Sequence, residues 1–234
     1  MTVKDNVKEM FDRIAPTYDV VNRTLSLGID GLWRRQAVSA LGDLAGARVL
    51  DLCAGTMDLT ALVGRRFPSA HITAADFSPE MLARGRASRK LAGVRAEITE
   101  VVCDAQDLPF DDGSFDAALC AFGLRNLPDP RAGLFQLARV LRPGGRAAVL
   151  EFFRPERGAR RFFHQVYNRN VLPALGGLIS GNAGAYRYLA DSMQSFLSRT
   201  EVEELARGVG LAVARSHDLF PAAASLVVFV REPS

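Results

Sequence analysis

Between residues 47 and 153 the chain alternates short apolar runs with stretches of helical period. Arg48-Val49-Leu50-Asp51-Leu52-Cys53 reads as a buried strand, and Ala54-Gly55-Thr56 as the turn that follows it. A helical pattern covers 58–67, and His71-Ile72-Thr73-Ala74-Ala75 is a second strand ending at Asp76. Ser78 and Pro79 then suit an N-cap and the first helical position. A third strand over 98–103 ends at Asp104, and a fourth runs over 115–121. A helix over 131–141 leads into the Pro143-Gly144-Gly145 turn, and a fifth strand spans 146–152.

Strands separated by helices in this rhythm imply βαβ units and an α/β fold with a doubly wound, mostly parallel sheet. Two later strand-like segments, 211–216 and 225–231, bring the expected strands to seven and suggest a hairpin-like edge. The chain divides accordingly into an N-terminal helical lid (1–46), an α/β core (47–153), a helical substrate-binding region (154–210) and terminal strands (211–234). Ligands of such sheets bind outside the carboxyl ends of the strands. Asp51, Asp76, Asp104 and Glu151 fall at strand ends and are expected along one rim.

At 234 residues the chain is long enough to bury a core without staples. Its 29 basic and 26 acidic residues leave a charge of +3, too small an excess to argue for nucleic acid. Cys53, Cys103 and Cys120 lie in or beside apolar runs, where a reduced thiol is the usual state. The N-terminus carries no apolar signal core, and no run reaches the roughly 18–20 apolar residues of a membrane span. The expected location is the cytoplasm. Acids and histidines show no metal-ligand spacing, so no metal is expected.

The turn Asp51-Leu52-Cys53-Ala54-Gly55-Thr56-Met57 stands where a phosphate or nucleoside loop belongs. No Gly-Lys-Ser/Thr follows, and the GxGxxG spacing of dinucleotide sites is missing. With Gly55 the single glycine there, NAD and ATP are poor fits.

These residues, with Asp76 and Asp104 ending the next two strands, resemble a class I S-adenosylmethionine-dependent methyltransferase. The closer resemblance is to the C-methyltransferases of menaquinone and ubiquinone biosynthesis. It rests on Met10-Phe11-Asp12-Arg13-Ile14-Ala15-Pro16-Thr17-Tyr18-Asp19, Asp76-Phe77-Ser78-Pro79-Glu80-Met81-Leu82, Ala121-Phe122-Gly123-Leu124-Arg125-Asn126-Leu127 and Tyr186-Arg187-Tyr188-Leu189-Ala190-Asp191-Ser192. The resemblance implies S-adenosylmethionine as cofactor. It puts Asp51, Cys53, Gly55 and Met57 at the methionine part, and Asp76, Phe77 and Met81 at the ribose. It puts Asp104 and Ala105 at the adenine, and Phe122 beside the transferable methyl. Two positions depart from the family pattern, which usually has glycine or alanine at Cys53 and glycine at Met57. If the backbone at Met57 needs positive φ, methionine costs on the order of 1 kcal/mol, and its side chain is expected to crowd the cofactor.

The implied reaction is methylation of a ring carbon of a polyprenylated hydroquinone, most closely demethylmenaquinol. Arg125 and Asn126 are the preferred catalytic pair, stabilising a phenolate or holding a bridging water, with Tyr18 contacting the quinol from the lid. Arginine stays protonated and is not itself a free base. His71 and His217 read as structural, and His164 as a weaker site candidate. Arg157, Arg160 and Arg161 suit a transient approach to an anionic membrane surface. A homodimer through the later helices is left open. Two other readings stay beside this one: a methyltransferase acting on another phenolic or polyketide-like acceptor, and a non-catalytic quinone-binding or scaffold protein.

Overall fold

A computed structural model describes residues 28–154, 191–219 and 224–233. Helix α1 (Asp30–Ala40) precedes strand β1 (Arg48–Leu52), and the βαβ rhythm then proceeds through α2 (Asp58–Arg66), β2 (His71–Asp76), α3 (Pro79–Ala87) and β3 (Glu97–Val102). The second half comprises β4 (Phe115–Ala121), α4 (Pro130–Val140), β5 (Leu141–Glu151), α5 (Arg199–Arg207), β6 (Leu211–Asp218) and β7 (Ser225–Arg231). Ser78 and Pro79 start α3 as expected: the Ser78 hydroxyl accepts from the Met81 amide at 3.1 Å.

The seven strands form one sheet in the order β3-β2-β1-β4-β5-β7-β6. β1 to β5 pair in parallel, whereas β7 runs antiparallel between β5 and β6. The terminal pair is antiparallel, as expected, but of the two β7 is interior and β6 alone lies at an edge, the other edge being β3. Ser225-Leu226-Val227-Val228-Phe229 is buried along its length, the pattern of a strand covered on both faces. Removing one such aliphatic side chain from water contributes roughly 1.5–3 kcal/mol.

The Pro143-Gly144-Gly145 turn is a bulge inside β5 rather than its prelude. Leu141 pairs with Phe115 and Arg146 with Ala117, so four residues of β5 lie opposite Asp116 alone. Gly144, at φ +77°, makes the excursion sterically cheap.

Two apolar layers cover the sheet. On one face α1 and α2 bury Trp33, Val38 and Val63 against Val49, Leu119 and Leu150. On the other, α4 and α5 bury Leu134, Leu137 and Val202 against Leu50, Ala118 and Phe229. Both layers stop at the carboxyl ends of β1 to β4, where the strand order reverses and a cleft opens.

Candidate active site

The cleft holds about 720 Å³, open to solvent, and lies between the loops that leave β1, β2, β3 and β4. Asp76 stands in its wall as the last residue of β2. Its Oδ2 accepts from the Gly55 amide at 2.8 Å and its Oδ1 from the Ser78 amide at 2.9 Å. One carboxylate thereby ties the β1 turn to the start of α3. Each carboxylate oxygen can accept more than one hydrogen bond. The wall therefore has the acceptor capacity that a ribose diol requires. The same bond engages the Gly55 N–H, the donor a phosphate would need from this loop.

The four strand-end acids do not share one rim. Asp76 and Asp104 line the cleft, but Asp51 and Glu151 are turned into the protein, 2% and 0% exposed. Asp51 is one residue short of the end of β1, and side chains alternate along a strand, so Leu52 faces the cleft and Asp51 faces away. Asp51 Oδ2 accepts from the Thr60 amide at 2.9 Å and the Thr60 hydroxyl at 2.6 Å. Burial raises its pKa from 3.8 to about 7, against the pull of the two Thr60 hydrogen bonds. Asp51 thus braces the first turn of α2 behind the cleft wall.

Met57 also sits behind the wall. Its φ of +63° confirms the left-handed backbone, yet its side chain turns away from the cleft. It is fully buried and packs with Ala54, Ala74 and Leu82. The space comes from Gly85 of α3, where a Cβ would lie 2.7 Å from Met57 Cγ. A glycine one helix away therefore compensates for a methionine in a glycine-type conformation, and the expected crowding of the cofactor does not occur. Cys53 and Phe122 are the other two non-glycine residues with positive φ among the described residues, at +57° and +60°. Both line the cleft, and strained backbone of this kind clusters at functional sites.

Asp104 and Ala105 line the cleft, as do Phe77 and Met81. Gln106 belongs with them and was not anticipated. Its amide donates to Asp104 Oδ1 at 3.2 Å, and its Oε1 accepts from the Asp129 amide at 2.9 Å. It joins the exit of β3 to the N-cap of α4. Its position directly after Asp104-Ala105 was the available signal. Cys103, also in the wall, has its thiol pushed up to about 11 by burial and then by Asp76 and Asp104, which marks this side of the cleft as negative.

Asn126 lines the cleft, but Arg125 does not. The Arg125 guanidinium lies under the site, 2.7 Å from Glu151 Oε1 and 2.8 Å from the Phe122 carbonyl oxygen. Asn126 Nδ2 donates to that same carbonyl at 3.1 Å. The pair expected to touch the substrate is thus arranged around the Phe122 backbone, and its ring stacks on Phe152 with centroids 4.6 Å apart. Tyr18, His164, Arg157, Arg160 and Arg161 lie outside the described residues. His71 is exposed and paired with Glu97, at the opposite end of β2 from the cleft. Burial lowers the pKa of His217 in β6, which does not line the cleft.

A profile of the ubiE/COQ5 methyltransferase family matches residues 1–228. The chain belongs to that family. It is 47% identical over 204 residues to a demethylmenaquinone methyltransferase of Thermus thermophilus, covering 87% of this chain and 92% of the relative. It is 41% identical over 216 residues to a ubiquinone/menaquinone biosynthesis C-methyltransferase of Geotalea daltonii, covering 92% of each. Among solved structures it is similar to the [4+2]-cyclase SpnF, with TM-score 0.73 and 15% identity over 97% of this chain and 96% of the other. A geranyl diphosphate C-methyltransferase from Streptomyces coelicolor matches with TM-score 0.65 and 14% identity over 86% and 79%. At such identities the structural matches show the fold alone, and one of them being a cyclase illustrates why.

As a member of the ubiE/COQ5 family the protein is a methyltransferase, and its cleft fits S-adenosylmethionine. The loop amide at Gly55 is held by Asp76, the wall carries Asp76 and Asp104, and no metal-binding cluster occurs among the described residues. A cofactor cationic at sulfur and lacking phosphate suits that donor set better than a nucleotide does.

Proposed function

We propose that the chain transfers the methyl group of S-adenosylmethionine to a ring carbon of a polyprenylated hydroquinone, with demethylmenaquinol as the acceptor. The observation that carries this reading is the cleft wall built on Asp76, which offers acceptors for a diol while engaging the loop amide that a phosphate would use. Relatives named for demethylmenaquinone and for ubiquinone/menaquinone methylation support the acceptor class.

Bound S-adenosylmethionine supplies an electrophilic methyl on a cationic sulfur. Asp76 and Asp104 hold the ribose and adenine, and Gln106 orients the Asp104 carboxylate. Phe122 and Gly123 form the wall where the methyl would face the acceptor. The acceptor must be the reduced ring, because loss of a hydroxyl proton loads the adjacent carbon with electron density. Asn126, at the cleft, orients the hydroxyl or a water that takes its proton. Arg125, neutralised by Glu151, acts on this pocket by holding the Phe122 carbonyl. Alignment of two reactants in one cleft supplies much of the rate.

Met57, the departure from the family pattern that would speak for a non-catalytic protein, leaves the cleft clear and gives that reading no support. The basic stretch with Arg157, Arg160 and Arg161, outside the described residues, supports transient contact with an anionic bilayer. No helix among the described residues is long and apolar enough to cross a membrane.

The deciding experiment is an anaerobic assay with purified protein, S-adenosylmethionine and chemically reduced demethylmenaquinone, read by mass spectrometry. A singly methylated product that requires both the cofactor and the reduced ring is expected. Cofactor binding without product would redirect the acceptor to another phenol.

A further inference from the structure

We propose that Cys53 and Cys120 form a dithiol site in the floor of the cofactor cleft that captures a trivalent arsenical and thereby excludes the cofactor. Cys53 leaves β1 directly after Leu52, and Leu52 is the register partner of Cys120 in β4. The two sulfurs are near neighbours beside Gly123. They also converge on one point: a Cβ on Gly123 would lie 2.8 Å from Cys53 Sγ and 3.2 Å from Cys120 Sγ, so the glycine leaves both sulfurs room. Cys53 lines the cleft, whereas Cys120 is buried beside it. A ligand entering by the cofactor's route meets Cys53 first and finds the second sulfur behind it.

Cys103 shares the cleft but not the pair. Its thiol is perturbed by burial, Asp76 and Asp104, not by another thiol. Two sulfurs without a third ligand suit a centre that bonds to two thiols and keeps one substituent of its own.

The chemistry separates this site from a redox switch. Contact with Cys120, then burial, pushes the Cys53 thiol well above its ordinary value. Thiolate is therefore scarce near neutral pH, and oxidation by peroxide, which needs thiolate, is slow. An organoarsenic(III) oxide instead condenses with protonated thiols. Two As–S bonds form, the As=O bond breaks, and its oxygen leaves with both thiol hydrogens as water. Arsenic stays trivalent, so no oxidant or reductant is required. The organic substituent is left projecting into the cleft that S-adenosylmethionine occupies.

The test uses the full chain with phenylarsine oxide, followed by intact-protein mass spectrometry. One phenylarsenic group is expected to add with loss of two hydrogens. The small dithiol dimercaptopropanol should remove it, while mercaptoethanol at equal thiol concentration should not. Cys103→Ser should label like the parent, whereas Cys53→Ala and Cys120→Ala should each lose the stable adduct. Cys53→Gly, suited to the φ of +57° at this position, serves as a second variant if the alanine protein fails to fold. Saturating S-adenosylhomocysteine should slow labelling about tenfold or more by mass action. An unlabelled parent, an adduct that survives in folded Cys53→Ala or Cys53→Gly, or one lost in Cys103→Ser would each overturn the proposal.

Discussion

Arg125 and Glu151 form an ion pair of 2.7 Å with both side chains withdrawn from water, 6% and 0% exposed. Glu151 also accepts from the Arg125 amide at 3.2 Å and the Phe152 amide at 2.8 Å, so one carboxylate fixes the end of β5 and the turn after β4 together. The guanidinium stands 5.7 Å from the Phe152 ring centroid and 6.0 Å from that of Phe122. A buried pair of this kind is weak evidence for stability as such, but removing one partner strands the other charge. Glu151→Ala should therefore destabilise the protein by about 3–5 kcal/mol, measured by urea unfolding. Replacing both partners by apolar residues should restore most of that loss while leaving methyl transfer impaired. Restored turnover would show that the pair serves stability alone.

Asp51 gives the protein a pH dependence with a definite sign. Its carboxyl is raised from 3.8 to about 7 by burial. Below 3.8 both folded and unfolded chains carry the proton, and Asp51 brings no penalty. As pH rises toward 7 the unfolded chain releases its proton first, and the folded state loses ground. Asp51→Asn keeps an oxygen to accept from Thr60 and removes the titration. Its stability relative to the parent should rise between pH 4 and 7 and level off above, by at most on the order of 4 kcal/mol. Thermal melts of both proteins across that range check it, and parallel curves would refute it.

Gly85 and Met57 should behave as a coupled pair. A Cβ at Gly85 meets Met57 Cγ at 2.7 Å and the Thr56 carbonyl carbon at 3.0 Å. Gly85→Ala should cost about 1–3 kcal/mol by overpacking, despite the better helix propensity of alanine. Met57→Gly relieves the left-handed strain but empties a filled site, so it too should destabilise. The double variant should be more stable than the sum of the two single effects predicts, as a double-mutant cycle by chemical denaturation would show.

Asp76 is the residue on which cofactor affinity should depend most. Asp76→Ala removes the acceptor of Gly55 N–H and Ser78 N–H together with those offered to the ligand. Charge-assisted hydrogen bonds are worth about 1.5–3 kcal/mol each. The loss should therefore raise the dissociation constant of S-adenosylhomocysteine by at least about tenfold, measured by calorimetry. An unchanged constant would remove Asp76 from the cofactor wall.

What the sequence determined by itself is the α/β rhythm, the positions of the first four core strands to within a residue, the Ser78-Pro79 helix start, and the positive φ suspected at Met57. These are local matters: apolar runs, cap residues and backbone sterics act within a few positions. The start of β5 it put five residues late, at 146 rather than Leu141. The interior place of β7 was also written locally, in its unbroken apolar run, although its neighbours were not. Only the tertiary structure decided where side chains at the strand ends turn. A difference of one residue from the end of a strand reverses its face, which put Asp51 behind the wall and left Asp76 in it. Contacts between segments distant in sequence decided the rest. Gly85 made room for Met57, Glu151 drew Arg125 beneath Phe122, and the pairing of β1 with β4 brought Cys53 against Cys120. Such choices depend on which surfaces meet when the sheet is assembled, and no single segment carries that information.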